Sequence, residues 1–303
     1  MTTLFLKLHR WIALLFALPL LVVIATGLVL SFEPSFVVGS IAPGTLTPAK
    51  VEALLAKHDA GGQARGINFR SYDRTLTIGG GRGNPGKVVD VGTGELRPGP
   101  GTLASVLVTS RQLHERLLLD AEWLVIVSSF VMLALALLGV LMGWPRFANT
   151  LSGWHKGTAW VLLPLLVLSP LTGIFMAYRI TFTPAQEASR AEGPAMKLVD
   201  AVRVVAARHD LSNLIWLRPA RGQVLARVVE GGEYRVYAVS PAGLVAAPRN
   251  WPRLLHEGNY AGHVSALVNV VPSAAMLLLL VTGVWIWLRR RVRRMRTQPA
   301  LAA

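Results

Sequence analysis

Four long apolar runs determine what kind of fold this chain can adopt. They lie at about 11–32, 123–145, 158–178 and 264–288, and each is long enough to cross a hydrocarbon core that needs roughly 20 apolar residues. Hydrophobic residues make up 52% of the chain, which suits a protein that buries four such runs in lipid. The sequence therefore predicts a helical membrane protein with four transmembrane helices.

The apolar runs follow a layout that occurs twice. The spacing from His9 to Gly27 equals the spacing from His155 to Gly173, and each of these glycines follows a threonine near the end of its run. Each unit then passes through a polar region to a second histidine before the next run, at His114 and at His256. A repeat of this length indicates one two-helix unit used twice.

The polar regions are too long to be simple turns and predict two small folded domains. Helical spacing at 47–58 and 195–209 precedes segments with β-like alternation. The predicted strands are Tyr72–Ile78, Lys87–Val91, Leu225–Val229 and Tyr234–Val239. Each domain is expected to be a helix packed on a small antiparallel sheet. The predicted order is a first transmembrane helix (1–32), an α+β domain (33–121), a second helix (122–146), a cytoplasmic loop with the third helix (147–178), a second α+β domain (179–262), and a fourth helix with a basic tail (263–303).

The placement of the basic residues predicts the orientation in the membrane. The net charge is +15, and the short segments 1–10, 145–157 and 289–303 contain Lys and Arg but no Asp or Glu. Such clusters at the ends of spans mark the cytoplasmic side. All three segments fall on one side of a four-span path, so we expect both termini in the cytoplasm and both domains outside it. This placement favours a lipid bilayer over a nucleic acid as the partner of the positive charge.

The four repeated histidines form two pairs under this topology. His9 and His155 lie at the cytoplasmic ends of their helices, and His114 and His256 lie on the other side. A six-coordinate b-type haem needs two imidazoles, and neutral imidazole is a common axial ligand. The chain has no cysteine, which excludes thiolate ligands, iron–sulfur clusters and covalent haem attachment. The sequence predicts two b haems, ligated by these histidines. His263 follows His256 on about the same helical face and is an alternative outer ligand.

Other residues fit haem sites less specifically. The helix ends of the two units carry glycines that either let a macrocycle approach the backbone or serve close helix packing, at Gly27, Gly139, Gly173 and Gly283. Basic residues near the histidines are candidates for pairing with haem propionates. They are Arg10 and Lys156 for the inner haem, and Arg111, Arg116 and Arg253 for the outer one.

Several motifs together resemble one membrane protein family. LHRW and LHERLLL contain His9 and His114, WHKG and LHEGNYAG contain His155 and His256, and VTGVWIWLRRR closes the last run. In combination they resemble the PepSY-associated transmembrane family of bacterial inner-membrane proteins. The resemblance implies a haem-containing reductase linked to iron acquisition, such as a ferric-siderophore reductase, with outer domains similar to PepSY modules.

The expected function is electron transfer across the membrane. Two haems would pass single electrons outward to a ferric siderophore or other ferric chelate, with a quinol or another protein as donor because no flavin or nicotinamide fingerprint is present. The alternative is a PepSY-bearing membrane regulator of an extracytoplasmic protease without redox activity. A transporter is disfavoured, because the apolar runs hold no Asp, Glu, Lys or Arg at their centres.

Overall fold

The computed structural model describes residues 2–79, 86–117, 120–145, 147–183, 196–220 and 222–297. The helices lie in two groups, one apolar and membrane-sized and one associated with a sheet. In chain order they are α1 (Thr2–Leu15), α2 (Ala17–Leu30), α3 (Glu33–Ser40), α4 (Pro48–His58), α5 (Thr102–Arg116), α6 (Glu122–Leu141), α7 (Leu151–Val161), α8 (Leu163–Ala177), α9 (Leu198–Ala206), α10 (Trp251–Glu257) and α11 (Gly262–Thr297).

Three helical stretches are long and apolar enough to cross a membrane by themselves. They are Ala17–Ser40, Glu122–Leu141 and Gly262–Arg293. Helices α7 and α8 meet at a bend of 64° and together make a fourth stretch of sufficient length. The predicted runs at 123–145 and 264–288 thus correspond to single helices, whereas the runs at 11–32 and 158–178 are interrupted.

The two interruptions occur at equivalent places and have the same cause. The helix breaks at Phe16 and at Leu162, which follow His9 and His155 at the same spacing. Pro19 and Pro164 lie in the first turn after each break. Proline lacks the backbone N–H and its ring clashes with the carbonyl four residues earlier, which favours a break one turn before it, although Pro170 and Pro272 lie within α8 and α11. Each first histidine therefore lies on a short helix of its own.

The strands of both polar regions form one antiparallel sheet. Its strands are β1 (Ile67–Arg70), β2 (Thr75–Ile78), β3 (Lys87–Asp90), β4 (Leu214–Ala220), β5 (Gln223–Glu230), β6 (Glu233–Ser240) and β7 (Gly243–Ala246). Their order across the sheet is β3-β2-β1-β4-β5-β6-β7. The expected hairpin across Gly231-Gly232 is present as β5 and β6. Tyr72–Ile78 is a strand only from Thr75, because a short 3-10 helix at Ser71–Asp73 precedes it.

The junction between β1 and β4 differs from the expectation of two separate sheets. Ile67 pairs with Leu217 and Asn68 with Trp216, so each polar region uses its edge strand to extend the other. Gly66 makes the close approach possible, because a Cβ there would lie 2.7 Å from the carbonyl oxygen of Leu217. An unpaired edge strand leaves its backbone N–H and C=O groups exposed, and pairing two such edges removes both.

A single hydrophobic core lies beneath this sheet. Helices α4 and α9 pack against each other, and their buried side chains join those of the strands from both polar regions. Val51 and Leu76 from the first region and Val202, Leu217 and Val228 from the second all belong to it, and each is fully buried. The two polar regions therefore share one core as well as one sheet.

The sheet junction can be tested by engineered disulfide formation, since the chain contains no cysteine of its own. Asn68→Cys combined with Trp216→Cys places two thiols on directly paired residues, where cross-strand Cβ atoms lie about 4.5–5.5 Å apart. We expect a cross-linked peptide on mild oxidation, detected by mass spectrometry. Asn68→Cys combined with Leu225→Cys, two strands away, should remain reduced. Equal cross-linking of both double variants would contradict the continuous sheet.

Candidate functional site

Two of the four repeated histidines face each other near the sheet. His114 lies on α5 and His256 on α10, and their ring centroids are 6.0 Å apart with the planes tilted by 45°. Both side chains are enclosed by the helices that pack against α5 and α10, namely α2 and α8. We call His114 and His256 the sheet-side pair. The structure brings together the two histidines that the repeat assigns to the same side.

His114 is held against one face of α2. Its Nδ1 lies 2.9 Å from the carbonyl oxygen of Val23 and 3.4 Å from Oγ1 of Thr26. The ring rests on Gly27, where an added Cβ would lie only 3.0 Å from Cε1 of the imidazole. The Thr-Gly step therefore supplies both a hydrogen-bond acceptor and the space that the ring occupies.

His256 is held against α8 in the same way. Its Nδ1 lies 3.0 Å from the carbonyl oxygen of Ser169 and 3.1 Å from Oγ1 of Thr172. A Cβ on Gly173 would lie 3.1 Å from Cε1 of the ring. The second unit thus repeats the contacts of the first, residue for residue.

These contacts fix the protonation of both rings. A carbonyl oxygen only accepts hydrogen bonds, so Nδ1 of each imidazole must carry the proton and Nε2 must keep its lone pair. Burial, with a smaller contribution from His256, lowers the pKa of His114 to about 4, and burial likewise lowers the pKa of His256. Both rings are therefore neutral near pH 7 and present Nε2 as a potential ligand atom.

The other two histidines, which we call the far-side pair, are held less symmetrically. Nδ1 of His155 lies 2.9 Å from Oγ1 of Thr282, and a Cβ on Gly283 would lie 3.4 Å from its ring. His9 lies close enough to interact electrostatically with His155. The backbone of Leu135 on α6 lies within reach of its ring, although its buried Nδ1 makes no hydrogen bond of standard geometry among the described residues. At the position equivalent to Thr282 the first unit has Leu138, which cannot accept a hydrogen bond.

Helix α11 links the two pairs and sets their separation. Near its start, Nδ2 of Asn269 donates to the carbonyl oxygen of His256 at 2.7 Å. Further along, Thr282 contacts His155. A rise of 1.5 Å per residue between these two contacts places the pairs about 20 Å apart along the helix.

His263 lies away from the sheet-side pair. Its side chain is exposed and its ring lies next to Gly39 of α3, where a Cβ would be 3.4 Å away. Although His263 follows His256 by two helical turns in sequence, a break at Gly258 with a φ of 64° separates α10 from α11. The two histidines therefore do not share one helical face, and His256 is the one that faces His114.

The basic residues near the histidines have different surroundings. Nε of Arg10 is buried without a hydrogen-bond partner in the described part of the chain, and Lys156 is exposed. Arg116 is paired with acidic side chains, 3.6 Å from both Asp120 and Glu122. Arg10 thus retains a buried donor beside His9, whereas Arg116 already has carboxylate partners.

An ion pair that the sequence did not reveal lies directly behind His256. Arg227 of β5 donates to Glu257 at 2.8 Å, and Arg253 lies 3.7 Å from the same carboxylate. Burial opposes ionisation of Glu257, but Arg227 and Arg253 outweigh it and hold its pKa at about 2. The pair connects the sheet to the helix that carries His256. On the other side, Arg111 is paired with Glu33.

Three glycines of the repeat make room for histidine rings, a more specific role than the macrocycle contact or helix packing expected from the sequence. Gly27, Gly173 and Gly283 each receive an imidazole ring, while nothing lies within 4 Å of a Cβ on Gly139. The preceding threonines were visible in the repeat, but their function as hydrogen-bond acceptors for histidine was not. The signal that could have revealed it is the recurrence of Thr-Gly opposite each of three histidines.

Replacing a glycine of the repeat by alanine tests the seating of the histidines. Gly27→Ala and Gly173→Ala force a Cβ against an imidazole, and we expect each to destabilise the protein by about 1–3 kcal/mol through overpacking. Gly139→Ala is the matched control, since open space surrounds it and alanine favours helix by up to about 1 kcal/mol. Thermal denaturation in detergent measures all three. Equal melting temperatures for the three variants would contradict the described contacts.

Comparison with known proteins agrees with this architecture. The family model described as the PepSY-associated TM region matches residues 6–290, which covers all four histidines, the membrane helices and the sheet. A search of curated proteins found no match. The extent of the family match confirms the resemblance inferred from the motifs, and the chain belongs to the PepSY-associated transmembrane family.

Proposed function

We propose that this protein is a di-haem b-type membrane reductase that passes single electrons across the bilayer to a ferric chelate, with ferric siderophores as the first choice. The observation that carries the proposal is the sheet-side pair, in which two neutral imidazoles face each other with Nδ1 protonated. The proposal places the protein in the bacterial inner membrane, with the far-side pair and both termini toward the cytoplasm.

The residues present fit a haem at the sheet-side pair. Two metal–nitrogen bonds of about 2 Å each, added to the half-widths of two rings, come to about the 6.0 Å that separates the ring centroids. No group of three or more His, Cys, Asp or Glu suited to a metal ion occurs among the described residues. A haem iron takes its other four ligands from the porphyrin, so two histidines are sufficient.

The far-side pair supports a second haem by a different observation. Nε of Arg10 is buried without a hydrogen-bond partner among the described residues, and Nδ1 of His9 makes no hydrogen bond of standard geometry although the backbone of Leu135 lies within reach. Buried polar groups in proteins are nearly always hydrogen-bonded, so the buried donor of Arg10 beside His9 needs an explanation. A propionate of a bound haem would accept a hydrogen bond from Arg10.

The chain itself would orient the haem ligands and set the distance between the two haems. A bound haem would supply one-electron chemistry, and the threonines and backbone carbonyls would keep each imidazole oriented through Nδ1. The roughly 20 Å spacing along α11 would hold the two pairs on opposite sides of the hydrocarbon core. A quinol or another protein would act as donor.

Haem content tests the proposal directly. We expect the purified chain to carry about two b haems, as two bis-histidine pairs require, measured by the pyridine haemochrome spectrum. His114→Ala or His256→Ala should remove one haem, and His9→Ala or His155→Ala the other. Effects within a pair should be non-additive, because losing either axial ligand already breaks the site.

His263→Ala is the matched control for these variants and should keep both haems. Loss of a haem from His263→Ala with retention in His256→Ala would transfer the ligand role to His263. A colourless protein from haem-replete cells would refute the reductase and leave the regulator of an extracytoplasmic protease as the surviving hypothesis.

Reoxidation kinetics test the acceptor. Protein reduced by dithionite should be reoxidised by ferric chelates under anaerobic conditions, because the sheet-side pair lies next to the sheet and its solvent-exposed surroundings. Stopped-flow absorbance measures the rate, and His114→Ala should slow it while the remaining haem stays reducible. Unchanged haem absorbance after mixing with several ferric chelates would contradict a ferric reductase.

A further inference from the structure

A small cavity rich in arginine opens beside the helix that carries His256. Its volume is about 50 Å³, and it lies between β5, β6, the segment that follows β7, and α10. The side chains that matter for its chemistry are those of Arg227, Arg235, Arg249, Arg253 and Tyr234. Among the described residues, none of the hydrogen bonds to the four histidine rings involves these side chains, although Arg227 ties α10 to the sheet through Glu257.

The charges around the cavity do not balance. Arg249 forms a two-pronged ion pair with Glu233 at 2.8 and 3.0 Å, and Arg235 shares the same carboxylate at 3.3 Å. Arg227 and Arg253 share Glu257. Four guanidinium groups thus share two carboxylates. Glu230 also acts on Arg249, and Arg218 adds a fifth positive charge nearby, so the surplus remains positive. Burial and the charges of Arg253 and Arg227 lower the pKa of the neighbouring Arg218, as expected in a positive potential.

Two side chains that line the cavity carry buried donors without a hydrogen-bond partner among the described residues, and the guanidinium of one, Arg227, lies over the ring of the other, Tyr234. Arg227 and Tyr234 are each only 8% exposed, and Nε of Arg227 and Oη of Tyr234 have no hydrogen-bond partner among the described residues. Burial, together with the charge of Glu33, raises the pKa of Tyr234, so its hydroxyl stays protonated and can donate. Unsatisfied buried donors of this kind point to a missing acceptor.

The mouth of the cavity faces solvent. The side chains of Arg249 and Arg253 are 45% and 44% exposed, in contrast to the buried side chains of Arg227 and Tyr234. A water molecule needs about 10–15 Å³ of such space, so the cavity can hold a few waters or one carboxylate group, with the rest of a larger molecule outside.

We propose that this cavity binds a carboxylate group of a soluble anion, and that the anion is a carboxylate-bearing ferric chelate. The cavity lies beside the sheet-side pair, because Arg253 and His256 are on the same short helix. The identity of the ligand as a ferric chelate rests on the proposed function. A chelate anchored by one carboxylate in the cavity is held next to the sheet-side pair. The site would thus select acceptors by charge, with bidentate guanidinium–carboxylate contacts giving the geometry.

Direct binding of citrate and ferric citrate to the full chain in lipid nanodiscs tests the site without relying on electron transfer. Calorimetry should detect binding of both at low ionic strength. We expect Arg249→Ala to weaken binding about tenfold or more, because a charge-assisted contact is lost. Arg65→Ala removes the same charge from an exposed position on the first polar region and should leave affinity unchanged.

Tyr234→Phe separates a binding role from a structural one. The change removes only a hydroxyl that has no partner in the described structure, so thermal stability should not fall. Citrate affinity should drop several-fold if the hydroxyl donates to the ligand. Unchanged affinity in Tyr234→Phe together with equal affinities for Arg249→Ala and Arg65→Ala would overturn the proposal, as would an absence of citrate binding at millimolar concentration.

Three further outcomes separate carboxylate binding from phosphate binding, from contact with a haem propionate, and from the proposed reductase function. Tighter binding of inorganic phosphate than of citrate would overturn the carboxylate assignment. Loss of a haem in Arg249→Ala without citrate binding in the parent would show that the cavity serves a haem propionate, and would also overturn it. A colourless protein that binds citrate in an Arg249-dependent manner would support the site and refute the reductase.

Discussion

The arrangement of this protein depends on burying an imidazole against an apolar helix without leaving Nδ1 unsatisfied. Thr26 and Thr172 solve this problem in the same way. Each hydroxyl donates to a carbonyl of its own helix, at 2.6 Å for Thr26 and 2.8 Å for Thr172, so its oxygen can accept from histidine. The glycine that follows removes the side chain that would otherwise occupy the place of the ring. A buried donor left unpaired costs about 1–3 kcal/mol. The carbonyl oxygens of Val23 and Ser169, at 2.9 and 3.0 Å, are the closer acceptors and fix which nitrogen is free, and the threonines add a second acceptor to each ring.

The threonine–glycine contact with histidine is not used equally in the two halves of the chain. Three histidines contact a threonine hydroxyl through Nδ1. His9 instead lies near the backbone of Leu135, has Leu138 at the position equivalent to those threonines, and makes no hydrogen bond of standard geometry through Nδ1 among the described residues. Partners of the second nitrogen raise the basicity of a ligating imidazole and lock its orientation. Two pairs of identical residue type therefore offer chemically different environments. In an electron-transfer protein, such a difference would separate the redox potentials of the two sites.

The sequence predicted those features that depend on spacing and missed those that depend on tertiary contact. The equal distances from His9 to Gly27 and from His155 to Gly173 led to the membrane helices and to the family, and the grouping of His114 with His256 followed from sidedness. The prolines that follow Phe16 and Leu162 favour a break there, but Pro170 and Pro272 lie inside continuous helices, so proline alone did not mark the breaks. The junction of β1 with β4 could not, because it joins segments far apart in sequence through only two residue pairs. The ion pair of Arg227 with Glu257 was hidden for the same reason, since neither residue has a local pattern that marks it.

The continuous sheet explains why the sheet-side rings hold a defined separation although they lie on different short helices. Asp73, just before β2, accepts hydrogen bonds from the backbone N–H of Gly101 at the start of α5. Arg227 of β5 is paired with Glu257 at the end of α10. Each histidine helix is thus tied to a different half of the sheet, and the β1–β4 junction together with the shared core makes the two halves one body. Two independent domains would let α5 and α10 move relative to each other, and a bis-histidine site tolerates little change in the distance between its ligands. The joined sheet therefore acts as the frame that sets the spacing of the sheet-side pair.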